Sequence, residues 1–88
     1  MKPIELTLLT KPGCHLCDEA RTALKQVLAS EAVVAAEIST SVIELNILED
    51  ETMLARYAEE IPVLLINDRK HTYWHIDKHR LTQALLES

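Results

Sequence analysis

Residues 4–10, Ile-Glu-Leu-Thr-Leu-Leu-Thr, alternate between apolar and polar and then turn apolar, the pattern of a largely buried strand. Lys11-Pro12-Gly13 breaks it with turn residues. A helical repeat starts directly afterwards. Leu16, Ala20, Ala23, Leu24, Val27 and Leu28 fall on one face, and Asp18, Glu19, Arg21, Thr22, Lys25 and Gln26 on the other. The alanines of 31–38 favour an extension of this helix, and Ser39-Thr40-Ser41 reads as a break.

A second strand is expected over 42–48, with Ile43, Leu45 and Ile47 on one side. Glu49 or Asp50 can cap a short helix running to about Ala58, with Met53, Leu54 and Tyr57 inward. Pro62 opens the continuous apolar run Val63-Leu64-Leu65-Ile66, which reads as a strand buried on both faces. Asn67-Asp68-Arg69-Lys70 is expected to turn, and His71 to His75 to return as an antiparallel partner. Asp77 suits the N-cap of a last helix that packs through Leu81, Ala84 and Leu85. Ile76 and Leu81 are placed to form a hydrophobic staple across its start.

The order is β-α-β-α-β-β-α, an α/β arrangement with a mixed four-stranded sheet flanked by helices. The helix between the first two strands implies a right-handed parallel crossover. A chain of 88 residues fits a single domain, 1–88. With Tyr57, Tyr73 and Trp74 as its aromatic residues, its core must be aliphatic. The net charge of −5 argues against a nucleic-acid partner. Arg69, Lys70, Lys78, Arg80 and His79 cluster near the end and read as a solvated face. No apolar run approaches the roughly 20 residues of a membrane span, and no leader pattern is read before Thr10–Lys11. A cytoplasmic protein is therefore expected. In that compartment two nearby cysteines point to redox or metal chemistry more than to a structural staple.

Cys14-His15-Leu16-Cys17 lies where the first strand gives way to the first helix. Residues three apart on a helix share a face, so the two sulfurs can meet. Unpaired N–H groups and the helix dipole favour an anion at Cys14, and thiolate is the reactive form of cysteine. Cys14 is thus the expected nucleophile and Cys17 the resolving thiol. Lys11 and a protonated His15 would support the thiolate, whereas Asp18 and Glu19 would oppose it. Two other readings of the pair stay open. One is a Cys/His metal module using His71, His75 or His79, although Cys17 and His75 lie much further apart than the roughly 12–15 residues of a zinc finger. The other is an interaction protein without turnover.

The segments Leu9-Thr10-Lys11-Pro12-Gly13-Cys14-His15-Leu16-Cys17-Asp18, Asn46-Ile47-Leu48-Glu49-Asp50 and Tyr57-Ala58-Glu59-Glu60-Ile61-Pro62-Val63-Leu64 together resemble the glutaredoxin-like family, in particular its small bacterial members with Cys-His-Leu-Cys. The resemblance spans essentially the whole chain, with 30–41 longer than usual. It implies a thioredoxin-like fold and a disulfide oxidoreductase. It also implies a cis proline at Pro62 beside the dithiol, a substrate chain pairing with the backbone of Ile61, and substrate contacts at Lys11, His15 and Leu16. The expected partners are a protein or small-molecule disulfide and an electron donor that the sequence does not name. The protein is expected to be a monomer with no bound cofactor. Typical glutaredoxins carry a Gly-Gly pair followed by Asp near the start of the last helix, where glutathione is gripped. Here that region reads Trp74-His75-Ile76-Asp77, which leaves glutathione use without its usual support.

Overall fold

The computed structural model describes residues 3–87. Four strands, β1 (Ile4–Thr10), β2 (Thr40–Asn46), β3 (Val63–Ile66) and β4 (Arg69–Tyr73), form one sheet in the order β2-β1-β3-β4. β1 runs parallel to β2 and antiparallel to β3, and β4 is antiparallel to β3. The helices are α1 (His15–Leu28), α2 (Glu31–Ala35), α3 (Glu51–Tyr57) and α4 (Lys78–Leu86). None is long and apolar enough to cross a membrane.

Alternation along the central strands builds two clusters. Leu6 and Leu8 of β1 and Leu64 of β3 face Ala20, Leu24 and Val27 of α1, Val33 of α2, and Leu81 and Leu85 of α4. Leu9, Val63 and Leu65 face the other way and pack with Cys17, Ile47 and Ile61, with Met53 and Tyr57 of α3 closing over them. Asp50 caps α3 by accepting from the Met53 N–H at 3.1 Å. Asp77 caps α4 in the same way at Arg80. Ile76 packs on the first cluster and Leu81 is fully buried in it, as a hydrophobic staple requires.

Several local expectations are corrected. The region 31–38 does not extend the first helix: α1 ends at Leu28, and a separate one-turn α2 follows Ser30. Thr40 and Ser41 belong to β2, because the β1 ladder starts at the Ile4–Thr40 pair. At its other end β2 stops at Asn46, whose side-chain oxygen accepts from the Leu48 N–H, and 47–49 form a 3-10 turn. Ile47 is buried, but Ile43 remains 50 % exposed and Leu45 and Leu54 also meet solvent, because the two-turn α3 covers only part of that sheet face. Finally, the hairpin turn is two residues long. Asn67 and Asp68 have φ of 49° and 67°, the left-handed pair of a type I′ turn, and Arg69 and Lys70 already lie in β4. That strand ends at Tyr73, so His71 and His75 do not share a strand face. The register skips one residue between Leu64 and Leu65, leaving His71 as a bulge.

Candidate active site

The end of β1 positions the dithiol. Gly13, in the turn that follows, has φ of 70°, a conformation glycine adopts without strain. The chain then enters α1 with Cys14 as its N-cap. The Cys17 backbone N–H donates to Cys14 Sγ at 3.2 Å, so a helix-end donor that would otherwise be unpaired points at this sulfur. Cys14 is half-buried and Cys17 fully buried, and both are free thiols.

The environment distinguishes the two sulfurs. Burial pushes the Cys17 thiol up to about 11, and the hydrogen bond to Cys14 and the charge of that neighbour add to the rise; a backbone hydrogen bond from Lys11 and the charge of Arg21 pull the other way. Cys17 therefore holds its proton at neutral pH.

This has a consequence for stability. Between about pH 9 and pH 11 the folded protein keeps a proton that the unfolded thiol has lost. The stability associated with it is present below about pH 9 and falls by at most roughly 1.4 kcal/mol per pH unit as pH rises toward 11. Urea unfolding near pH 8 and near pH 10.5 checks this: wild type should lose more stability between them than Cys17→Ala, and equal losses would refute it.

Across the sheet, the Ile61–Pro62 peptide is cis, as the family resemblance implied. Ile61 shares the cluster of Cys17, Leu9 and Val63, and Cys14 packs against that cluster. Pro62 is buried beside it. Of the other residues picked from the sequence, Lys11 and His15 are exposed and Leu16 is half-buried. His15 lines a groove of about 460 Å³ that follows α1 to Lys78. Among the described residues, no three His, Cys, Asp or Glu side chains gather as a metal-binding group.

Sequence reading missed the polar support of the site. Arg21 donates from Nε and Nη2 to the two carboxylate oxygens of Glu44 at 2.7 and 2.8 Å and also pairs with Asp18. Thr10, nearly buried, donates to Glu44 as well, at 3.2 Å. The Arg21 hydrogen bonds hold the Glu44 carboxyl below its ordinary range despite partial burial. This network fastens α1, one turn beyond Cys17, to β2 and to the end of β1. Its legible signal was Glu44, an acid within the apolar run Val42-Ile43-Glu44-Leu45.

A strand-to-helix dithiol facing an Ile-cis-Pro step, on a sheet of this order, defines a protein of the thioredoxin-fold class. The chain belongs to the glutaredoxin-like domain family (DUF836), whose model matches residues 5–86. It is similar to the uncharacterised protein Rv0508 of Mycobacterium tuberculosis, at 29 % identity over 84 residues, covering 96 % of this chain and 84 % of that one. It is also similar to the X-ray structure of the structural-genomics target XcR50 from X. campestris, with a TM-score of 0.72, 29 % identity, and coverage of 94 % of this chain and 97 % of that one. The germline-specific thioredoxin Deadhead of Drosophila melanogaster shares the fold alone, at 18 % identity and a TM-score of 0.59, over 97 % of this chain and 80 % of that one.

Proposed function

We propose that the protein is a thiol–disulfide oxidoreductase in which Cys14 attacks the substrate and Cys17 resolves the product. The observation that carries this reading is the division between the two sulfurs. Cys14 sits at the helix N-cap with a backbone N–H aimed at its Sγ. Cys17 is buried behind it and protonated.

In the first step the Cys14 thiolate forms a bond to one sulfur of a substrate disulfide. The substrate S–S bond breaks, and the departing sulfur leaves with the electron pair and takes up a proton. In the second step Cys17 gives up its proton and attacks Cys14 Sγ, which releases the other substrate sulfur as a thiol. The substrate gains two electrons and two protons, and the protein is left with a Cys14–Cys17 disulfide. An external thiol reductant returns it to the dithiol by the same exchange in reverse. The two sulfurs carry both electrons, so the cycle needs no bound cofactor. In this reading Lys11, His15 and Leu16, the chain neighbours of the nucleophile, contact the substrate, and a substrate chain is laid against the Ile61–Pro62 segment.

Oxidation followed by intact-mass measurement tests this. Oxidised protein should lose two hydrogens and resist alkylation at both cysteines, and dithiothreitol should restore both thiols. Two alkylatable thiols after oxidation would reject the proposal.

A further inference from the structure

Two of the three aromatic side chains stand half in solvent, side by side, at the end of the sheet that carries the dithiol. Tyr73 is 45 % and Trp74 49 % exposed, with ring centroids 5.0 Å apart in an edge-to-face arrangement. Trp74 has φ of 66°, a left-handed backbone that a bulky residue adopts only when its surroundings impose it. They do so here: the Trp74 N–H donates to the Pro62 carbonyl at 2.8 Å, and the indole Nε1–H donates to the Glu59 carbonyl at 2.9 Å. Trp74 is thus tied on both sides of Ile61, its backbone to Pro62 and its indole to Glu59, while about half of the residue faces water. Core packing does not account for a large apolar ring held this way.

The location connects the pair to the redox site. Tyr73 is the β4 partner of Val63 and therefore lies on the sheet face of Val63 and Leu9, where Ile61 and Cys17 also pack. β1 and β4 are two strand spacings apart, roughly 10 Å, which an extended chain covers in about three residues. A polypeptide with its disulfide at Cys14 can cross Ile61–Pro62 and reach the aromatic pair with its next few side chains.

We infer that Tyr73 and Trp74 form a docking subsite for an apolar side chain of an extended polypeptide next to the disulfide that Cys14 attacks, so that the substrate is a protein disulfide rather than glutathione disulfide. This rests on the dithiol reading above. The chemistry of the subsite favours such an occupant. Aromatic faces gain from apolar area and from close ring contacts, whereas glutathione presents carboxylates. At the aromatic pair itself, Lys70 Nζ lies 5.3 Å from the Tyr73 ring centroid and is already paired with Glu60 at 3.1 Å.

The test uses Trp74→Gly, which suits the left-handed backbone and removes the indole. The substrates are a tryptophan-free cyclic peptide, whose disulfide is flanked by leucine and phenylalanine, and bis(2-hydroxyethyl) disulfide. The ratio of kcat/KM for the peptide to that for the small disulfide should fall about tenfold in the variant, through KM. A ratio equal to that of wild type overturns the subsite. Trp74 is also the protein's one tryptophan, so its emission reports binding without turnover. In a Cys14→Ser/Cys17→Ser double variant the peptide should shift this emission to the blue, and no shift at saturating peptide overturns the subsite as well. If wild type reduces neither disulfide while the shift persists, the dithiol reading falls and the subsite stands. If both are reduced and the variant keeps the wild-type ratio, the subsite falls and the dithiol reading stands.

Discussion

Replacing Cys14 by serine is expected to lower disulfide reduction by on the order of 10³-fold or more, to the level of buffer. A serine hydroxyl keeps its proton at neutral pH and is a poor nucleophile toward sulfur, so the first exchange has no attacking group. The substitution is nearly isosteric at an N-cap, and serine is itself a preferred capping residue. The loss should therefore come without unfolding, which near-identical circular dichroism and urea midpoints would establish. Cys17→Ser should behave differently. Cys14 remains able to attack, but the mixed disulfide has no internal thiol to clear it, so a covalent substrate adduct accumulates and turnover falls. Mass spectrometry after addition of a peptide disulfide distinguishes the two variants. An adduct on Cys14→Ser, or full activity of that variant, would remove Cys14 from the nucleophile's role.

Much of this site was legible because it is local. The break at Lys11-Pro12-Gly13 and the apolar repeat after it locate the strand-to-helix junction, and the cysteines three apart then share its first turn. Asp50 and Asp77 were readable as caps for the same reason: each acts on an N–H three residues away. The features that escaped depend on distant partners. Arg21 looks like an ordinary surface charge, and Glu44 is only an acid in an apolar run, until β2 is laid beside β1 and α1 comes over it. Trp74 falls inside the expected His71–His75 strand, and its tethered, half-exposed position shows only in its φ and its bonds to Glu59 and Pro62.

The 30–41 region was misread because no glycine or proline marks its breaks. Glu37, with φ of 55°, makes a left-handed turn that its residue type does not announce. Coverage misled as well. Ile43 and Leu45 carry a strand's alternation but meet solvent because α3 is too short to cover them, and Leu54 of α3 carries a helix's alternation but is 37 % exposed.

Leu64→Ala is expected to cost about 2–5 kcal/mol of stability. Leu64 is 1 % exposed and sits opposite Leu8 in the centre of the sheet, in the cluster that also holds Leu6, Leu24, Leu81 and Leu85. Strands flank it on both sides and α1 and α4 cover its face, so the space left by truncation cannot readily collapse. Domains of this size have total stabilities toward the lower end of roughly 5–15 kcal/mol, so the variant should be near its unfolding midpoint at moderate temperature. The urea midpoint should drop sharply with little change in slope. Ile43→Ala is the matched control: it removes an aliphatic side chain from an edge strand that is half exposed, and the expected change is within about 0.5 kcal/mol. A loss below about 1 kcal/mol at Leu64 would mean that β3 is not the buried centre of the sheet. Because β3 begins directly after Pro62, the same measurement bears on the site: disulfide reduction by Leu64→Ala should decline in step with the folded fraction as temperature rises. Activity that persists after the fold has melted would separate the chemistry of Cys14 from the wall proposed for Ile61 and Pro62.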